Sequence, residues 1–179
     1  NTSHSILADG ESYATFVADN IFDNREYVSF SDGEITASAV WGSTSDIPYV
    51  ITGDVTVAEG VTLTIEPGTV VKFIRNSCSG RLIVDGTLIA EGEPEEGTIY
   101  FTSLKDDSVG GDTNGDGDAS SPAPGDWFCL RFRNGSIDNV LDNVEIRYGG
   151  KSCYGPPRDQ SNLSIETSSL VLANSLITQ

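Results

Sequence analysis

What most restricts the fold of this chain is a short β-type phrase that keeps returning. Leu-x-(Ile/Val/Phe) heads alternating apolar and polar runs at Leu63-Thr64-Ile65, Leu82-Ile83-Val84, Leu130-Arg131-Phe132 and Leu163-Ser164-Ile165. Val144-Glu145-Ile146-Arg147-Tyr148 alternates strictly, Gly, Asn or Pro separates the runs, and helical periodicity is absent from about residue 49 onward. The leading leucines stand 19, 48 and 33 residues apart, and the last two intervals shrink to 26 and 22 once residues 104–125 and 150–160 are set aside as insertions. A second phrase, Leu141-Asp142-Asn143 against Leu172-Ala173-Asn174, returns after 31 residues, or 20 without the same insertion. It puts an Asn at the same corner each time, where stacked amides could bond to one another.

Repeats of about 20–25 residues made of three short strands are those of a parallel β-helix, in which each rung buries its inward side chains on its neighbours. Four rungs are expected from the pattern. The first holds Leu63, Ile65, Val71 and Phe73, and the second Leu82, Val84, Leu88, Ile99 and Phe101. The third holds Leu130, Phe132, Leu141, Val144 and Ile146, and the fourth Leu163, Ile165, Leu170, Leu172 and Leu176. An antiparallel sandwich is the alternative, weakened by the lack of regularly spaced Asn-Gly or Asp-Gly hairpin turns. The expected organisation is an N-terminal segment 1–48, acting as a cap or assembly arm, followed by a β-helix over 49–179 with inserted loops 104–125 and 150–160. Tyr13, Phe16, Val17 and Ile21 suit a short amphipathic helix in the first segment, although their composition fits a strand almost as well. The sequence given stops mid-rung at Ser175–Gln179, so either more chain or a stacked subunit is expected on that end.

Charge narrows the function classes. The 179 residues hold 27 Asp+Glu against 10 Lys+Arg, a formal net charge of -17. Phosphate backbones and anionic lipid would repel such a chain, so no nucleic-acid partner is expected. Apolar runs such as Leu82-Ile83-Val84 fall far below the roughly 20 residues that span a bilayer, so membrane insertion is not expected either. The single His, His4, sits near the terminus and leaves a Ser-His-Asp or Cys-His arrangement without a base.

From Leu104 to Asp126 there are six Asp and one Lys among Gly, Ser and Pro, a loop with little to bury. Residues 91–97, EGEPEEG, form a shorter acidic turn. In Asp112-Thr113-Asn114-Gly115-Asp116-Gly117-Asp118 the oxygen donors fall at alternate positions, with Gly where the chain must turn, as in the first half of an EF-hand calcium loop. Where an EF-hand places its bidentate Glu this chain has Ala123, so further ligands must come from elsewhere. Asp107 and Asp126, at the two roots of the loop, are the nearest candidates. The expected ligand set for Ca²⁺ is therefore Asp112, Asn114, Asp116, Asp118, Asp107 and Asp126, and the alternative is a merely solvated acidic loop.

Other residues carry weaker signals. Arg131, Arg133 and Arg147, near Asp138, Asp142 and Glu145, read as a salt-bridged outer face in preference to a polysaccharide-cleaving site. Trp127 is expected to point outward, beside an inward Phe128-Leu130-Phe132 register, where it could stack on a sugar or be covered by the loop. Cys129 and Cys153, 24 residues apart, could bridge, with Cys78 competing for either. The sequons at Asn1, Asn134 and Asn162 are short enough to occur by chance.

The phrases YVITGDVTVAEGVTLTIEPGTVVKF, GRLIVDGTLIAEG, TIYFTSLKDDSVGGDTNGDGDASSPAPGDW and NVEIRYGG resemble right-handed parallel β-helix repeat proteins that bacteria and archaea secrete or display. The likeness covers roughly residues 41–150. It implies the right-handed fold and an extracellular or cell-surface setting, but that family has no single activity. The expected function is a non-enzymatic, calcium-binding module for surface architecture, adhesion or self-assembly into a fibre. A unit that binds or cleaves an extracellular polysaccharide is the second expectation.

Overall fold

A computed structural model of the chain describes residues 6–8, 27–42, 47–95, 97–153, 161–166 and 168–178. The expected helix or strand around Tyr13–Ile21 lies outside these residues, as do His4 and Tyr154. Every regular element among the described residues is a strand, and every pairing between strands is parallel. The antiparallel sandwich is thereby set aside. The first sheet contains β1 (Ile6–Ala8), β2 (Val28–Phe30), β5 (Tyr49–Ile51), β8 (Val70–Phe73), β11 (Ile99–Ser103), β14 (Val144–Arg147) and β17 (Leu176–Thr178). The second contains β3 (Gly33–Ile35), β6 (Asp54–Val57), β9 (Arg81–Val84), β12 (Leu130–Phe132) and β15 (Leu163–Ile165). The third contains β4 (Ala39–Trp41), β7 (Thr62–Ile65), β10 (Thr87–Glu91), β13 (Asn139–Asp142) and β16 (Leu170–Ala173). From β2 onward the chain visits the three sheets in fixed rotation, an all-parallel order compatible with a parallel β-helix or related solenoid.

Register explains the recurring phrase. Parallel partners share a face of the sheet, and Leu82, Leu130 and Leu163 are consecutive partners in the second sheet. Leu141 pairs with Leu172 in the third. Leu63 departs from the expectation, because its partner is Leu88 of the third sheet, while Val55 occupies the place before Leu82. The same Leu-x-Ile spacing suits an inward strand in any of the three sheets, so the spacing alone does not say which sheet a strand joins. Leu176 is a second correction: it pairs with Glu145 on the outer face, and Ile177 pairs with the inward Ile146. The repeat also reaches back to Val28, since β2, β3 and β4 pair with β5, β6 and β7. That stretch belongs to the segment expected to serve as cap or arm, and its core is aromatic, with Trp41 stacked between Phe30 and Tyr49 at 4.8 and 4.9 Å.

Side chains from all three sheets form one apolar core, running from Val28 and Phe30 to Val144 and Ile146. In the last three strands the inward residues Ile165, Leu172 and Ile177 are each at least 40% exposed. Asn143 and Asn174 take left-handed backbone at one corner, φ 49° and 45°, which Asn tolerates better than most residues. In place of the expected amide ladder, both side chains donate to Asp142 Oδ1, at 3.1 and 2.9 Å.

The connections β8–β9, β11–β12 and β14–β15 leave at one corner, between the first and second sheets, and there they stack. Residues 125–128 are sandwiched. Gly125 N and Asp126 N donate to Gly149 O and Tyr148 O, Lys151 N donates to Trp127 O, and Phe128 N donates to Gly80 O. A disulfide between Cys78 and Cys153, Cα atoms 5.6 Å apart, joins the two outer layers across this middle one. Cys129 is buried and outside the bridge, which corrects the expected Cys129–Cys153 pairing. Trp127 also departs from expectation: it points inward, fully buried, stacked on Phe73 at 4.1 Å with Nε1 donating to Arg147 O at 2.9 Å. Its neighbour Phe128 instead lies beneath the Arg81 guanidinium, 4.1 Å from the ring centroid. The alternation of β12 does not extend back through Cys129, so extrapolating it inverted both aromatics.

Candidate metal centre

The acidic connection between β11 and β12 folds over the outer face of the first sheet, where two basic side chains receive it. Lys72 lies between inward Val71 and Phe73 on β8 and therefore points outward, yet it is fully buried beneath the loop. Its Nζ donates to Asp106 O at 2.9 Å and Gly111 O at 2.7 Å. Burial lowers its pKa to about 8, against the opposing pull of Asp106, Asp107 and Asp112, while Arg147 lowers it further. Arg147, on β14, pairs with Asp106 at 2.8 Å and with Glu145 at 3.1 Å, and also donates to Ser108 Oγ. Burial disfavours the charged form of Asp106, but hydrogen bonds from Ser108 and Thr102, and the Arg147 charge, hold its carboxyl below the usual range.

Beyond these anchors the chain curls around Asp112. Oδ1 of Asp112 accepts the amides of Gly115 and Asp116, at 2.8 and 3.1 Å, and Oδ2 accepts that of Gly117 at 2.9 Å. Gly115 and Gly117 take φ of 71° and 62°, which makes the tight curl affordable. The curl gathers carboxylates from Asp107, Asp112 and Asp116, one oxygen of each lying within 4.8 Å of the others. Two oxygens bound to one Ca²⁺ at 2.3–2.6 Å are at most about 5 Å apart, so this spread fits a shared calcium ion. Oδ1 of Asp107 is buried with no hydrogen-bond partner among the described residues. Desolvation first, and the charge of Asp112 second, raise the Asp107 pKa, against the opposing pull of Lys72.

The other expected ligands are placed differently. Asn114 adjoins the cluster, its Nδ2 donating to Asp116 Oδ2 and Ser120 Oγ, both at 3.0 Å. Asp118 is exposed and outside the group. Asp126 is engaged at the root of the loop, pairing with Lys105 at 2.9 Å and accepting Ser103 Oγ and the Ala123 amide. Lys72 carries no signal of its own in the sequence, where Val70-Val71-Lys72-Phe73 looks like an ordinary strand with one solvated Lys. Its loop partners lie 34 and 39 residues away.

The outer Arg residues form ion pairs: Arg131 with Glu166, Arg133 with Asp85 at 3.0 Å, and Arg81 with Asp54 at 2.8 Å. An open cleft of about 770 Å³ runs beside them along the second sheet, lined by Asp32, Glu34, Asp54, Thr56, Asp85 and Arg133. Asp54 and Asp85 are held in those pairs, and Asp32 accepts the Asp54 amide at 2.6 Å. Comparison with protein families, characterised proteins and solved structures finds no match to this chain.

Proposed function

We propose that the chain is a right-handed parallel β-helix acting as a non-enzymatic, extracellular or cell-surface module whose corner loop binds Ca²⁺. The observation that carries this reading is the convergence of Asp107, Asp112 and Asp116 around a buried carboxylate oxygen that has no partner among the described residues. Only hard oxygen donors are offered, as Ca²⁺ requires, and a weak site with Kd on the order of 10⁻⁴–10⁻³ M matches extracellular modules. Right-handed crossovers are the rule for parallel strands, and the Cys78–Cys153 disulfide suits an oxidising compartment. Calorimetric titration tests the site: the unmodified chain should release heat with Ca²⁺, while Asp112→Ala and Asp116→Ala should not. Equal heats in all three would end the assignment.

Surface architecture, adhesion or assembly into a fibre is the proposed role, with self-association of the chain as the accompanying proposal. Light scattering with and without Ca²⁺ tests it, since a monomer under both conditions would leave that role without support. The cleft on the second sheet favours a second reading, binding or cleavage of an extracellular polysaccharide. Glycan-array binding lost on Glu34→Ala would support it.

A further inference from the structure

We infer that Lys72 is the positioning residue of the acidic-loop cation site, its buried ammonium fixing the backbone carbonyls that immediately precede Asp107 and Asp112. The inference rests on the Ca²⁺ reading above. An ammonium taken out of water needs acceptors for its donors, and here two backbone carbonyls of the loop take two of its three N–H groups. Those carbonyls belong to Asp106 and Gly111, each one residue before a carboxylate of the cluster. The segment 106–111 thus becomes an arch with both feet on one side chain.

The arch lies close to the sheet. A Cβ on Gly110 would come within 3.2 Å of Val70 Cγ1 and 3.4 Å of Lys72 Cε, and Gly110 and Gly111 both take positive φ, at 63° and 66°. Arg147 holds the Asp106 side chain and Ser108 from the opposite flank, so the first foot is fixed from two strands. The second foot, at Gly111, leads directly into Asp112, around which the Gly115–Gly117 curl is built.

Lys72 acts on a bound cation in two opposing ways. Its charge repels the ion and weakens binding, whereas its bonds hold two ligands in place and strengthen it. The positioning effect should dominate, because a Gly-rich loop without its anchor must lose backbone freedom each time it binds, and Asp116 is exposed enough for solvent to screen the repulsion.

The sign of the change in Ca²⁺ affinity separates the two effects. Calorimetric titration of the full chain and its Lys72→Met variant should show affinity falling roughly tenfold or more in the variant, consistent with loss of charge-assisted bonds to the loop. Tb³⁺ luminescence lifetimes in H₂O and D₂O should show about one more water on the ion in Lys72→Met, as a displaced carboxylate requires. Unchanged or tighter Ca²⁺ binding, with no added water, would overturn the inference while leaving the Ca²⁺ reading intact. No binding by the unmodified chain would overturn both. Should the variant fail to fold, hydrogen exchange of the unmodified chain in EDTA decides: amides of 106–112 protected above those of 117–121 support the anchor, and equal exchange in both segments refutes it.

Discussion

The acidic turn between β10 and β11 and the acidic loop between β11 and β12 are built from the same kinds of residue, yet the fold treats them differently. In the first, Glu91, Glu93 and Glu95 are exposed, and the backbone closes on itself through the Glu93–Gly97 bridge. The second is anchored at every stage, by Lys72 and Arg147 over the outer face of the first sheet, by Trp127 in the core, and by a disulfide across its exit. The three carboxylates of the short turn, Glu91, Glu93 and Glu95, stay in water and need no countercharge. In the long loop, anchoring brings three carboxylates together and buries an oxygen of Asp107 without a partner among the described residues. What marks a candidate cation site here is therefore the buried basic and apolar framework beneath the acids, more than the acids themselves.

The largest effect that could break this contrast lies at the root of the long loop. Trp127→Ala removes a fully buried ring stacked on Phe73 and should lower stability by about 3–5 kcal/mol in urea unfolding. Glu93→Ala in the short turn should stay within about 0.5 kcal/mol. Similar small losses for both would mean that the long loop is no better integrated than the short one. Next in size, replacing Cys78 and Cys153 together by Ser should cost about 2–4 kcal/mol, since the bridge closes a separation of 75 residues. A melting temperature unmoved by the double change would place the corner stack outside the cooperative unit.

A smaller effect depends on pH. The folded-state pKa of Lys72 is lowered to about 8, so between about 8 and the ordinary lysine value near 10.4 the unfolded chain binds more protons than the folded one. Stability contributed by this group must then rise with pH across that window, by at most on the order of 3 kcal/mol. The neutral amine still has two N–H groups for the two carbonyls, so the loop should remain docked. Urea unfolding at pH 7.5 and 9.5, compared with Lys72→Met, isolates the term. A fall in stability of the unmodified chain that Lys72→Met abolishes would show that the charge itself holds the loop down.

Much of this architecture was legible in the sequence where inward residues repeat with period two. Leu82, Leu130 and Leu163 align because each heads an inward strand of one sheet, and Leu141 aligns with Leu172 for the same reason. Leu63 was misassigned because an inward strand looks alike in all three sheets. Within the loop, the Asp-Gly spacing pointed to Asp112 and Asp116, which the local curl brings together, and position at the loop root pointed to Asp107. Asp126, the other candidate at the loop root, lies outside that group and is held by Lys105 and Ser103. Lys72, the Cys78–Cys153 bridge and the inward turn of Trp127 depend on which coils lie side by side, and no local pattern reports that.

The most direct measurement is anomalous diffraction from crystals of the full chain grown with Ca²⁺ or Tb³⁺. A peak enclosed by Asp107, Asp112 and Asp116 is expected, within about 2.3–2.6 Å of a carboxylate oxygen from each. A peak confined to Asp118 or to the Glu91–Glu95 turn, or none at saturating ion, would contradict it.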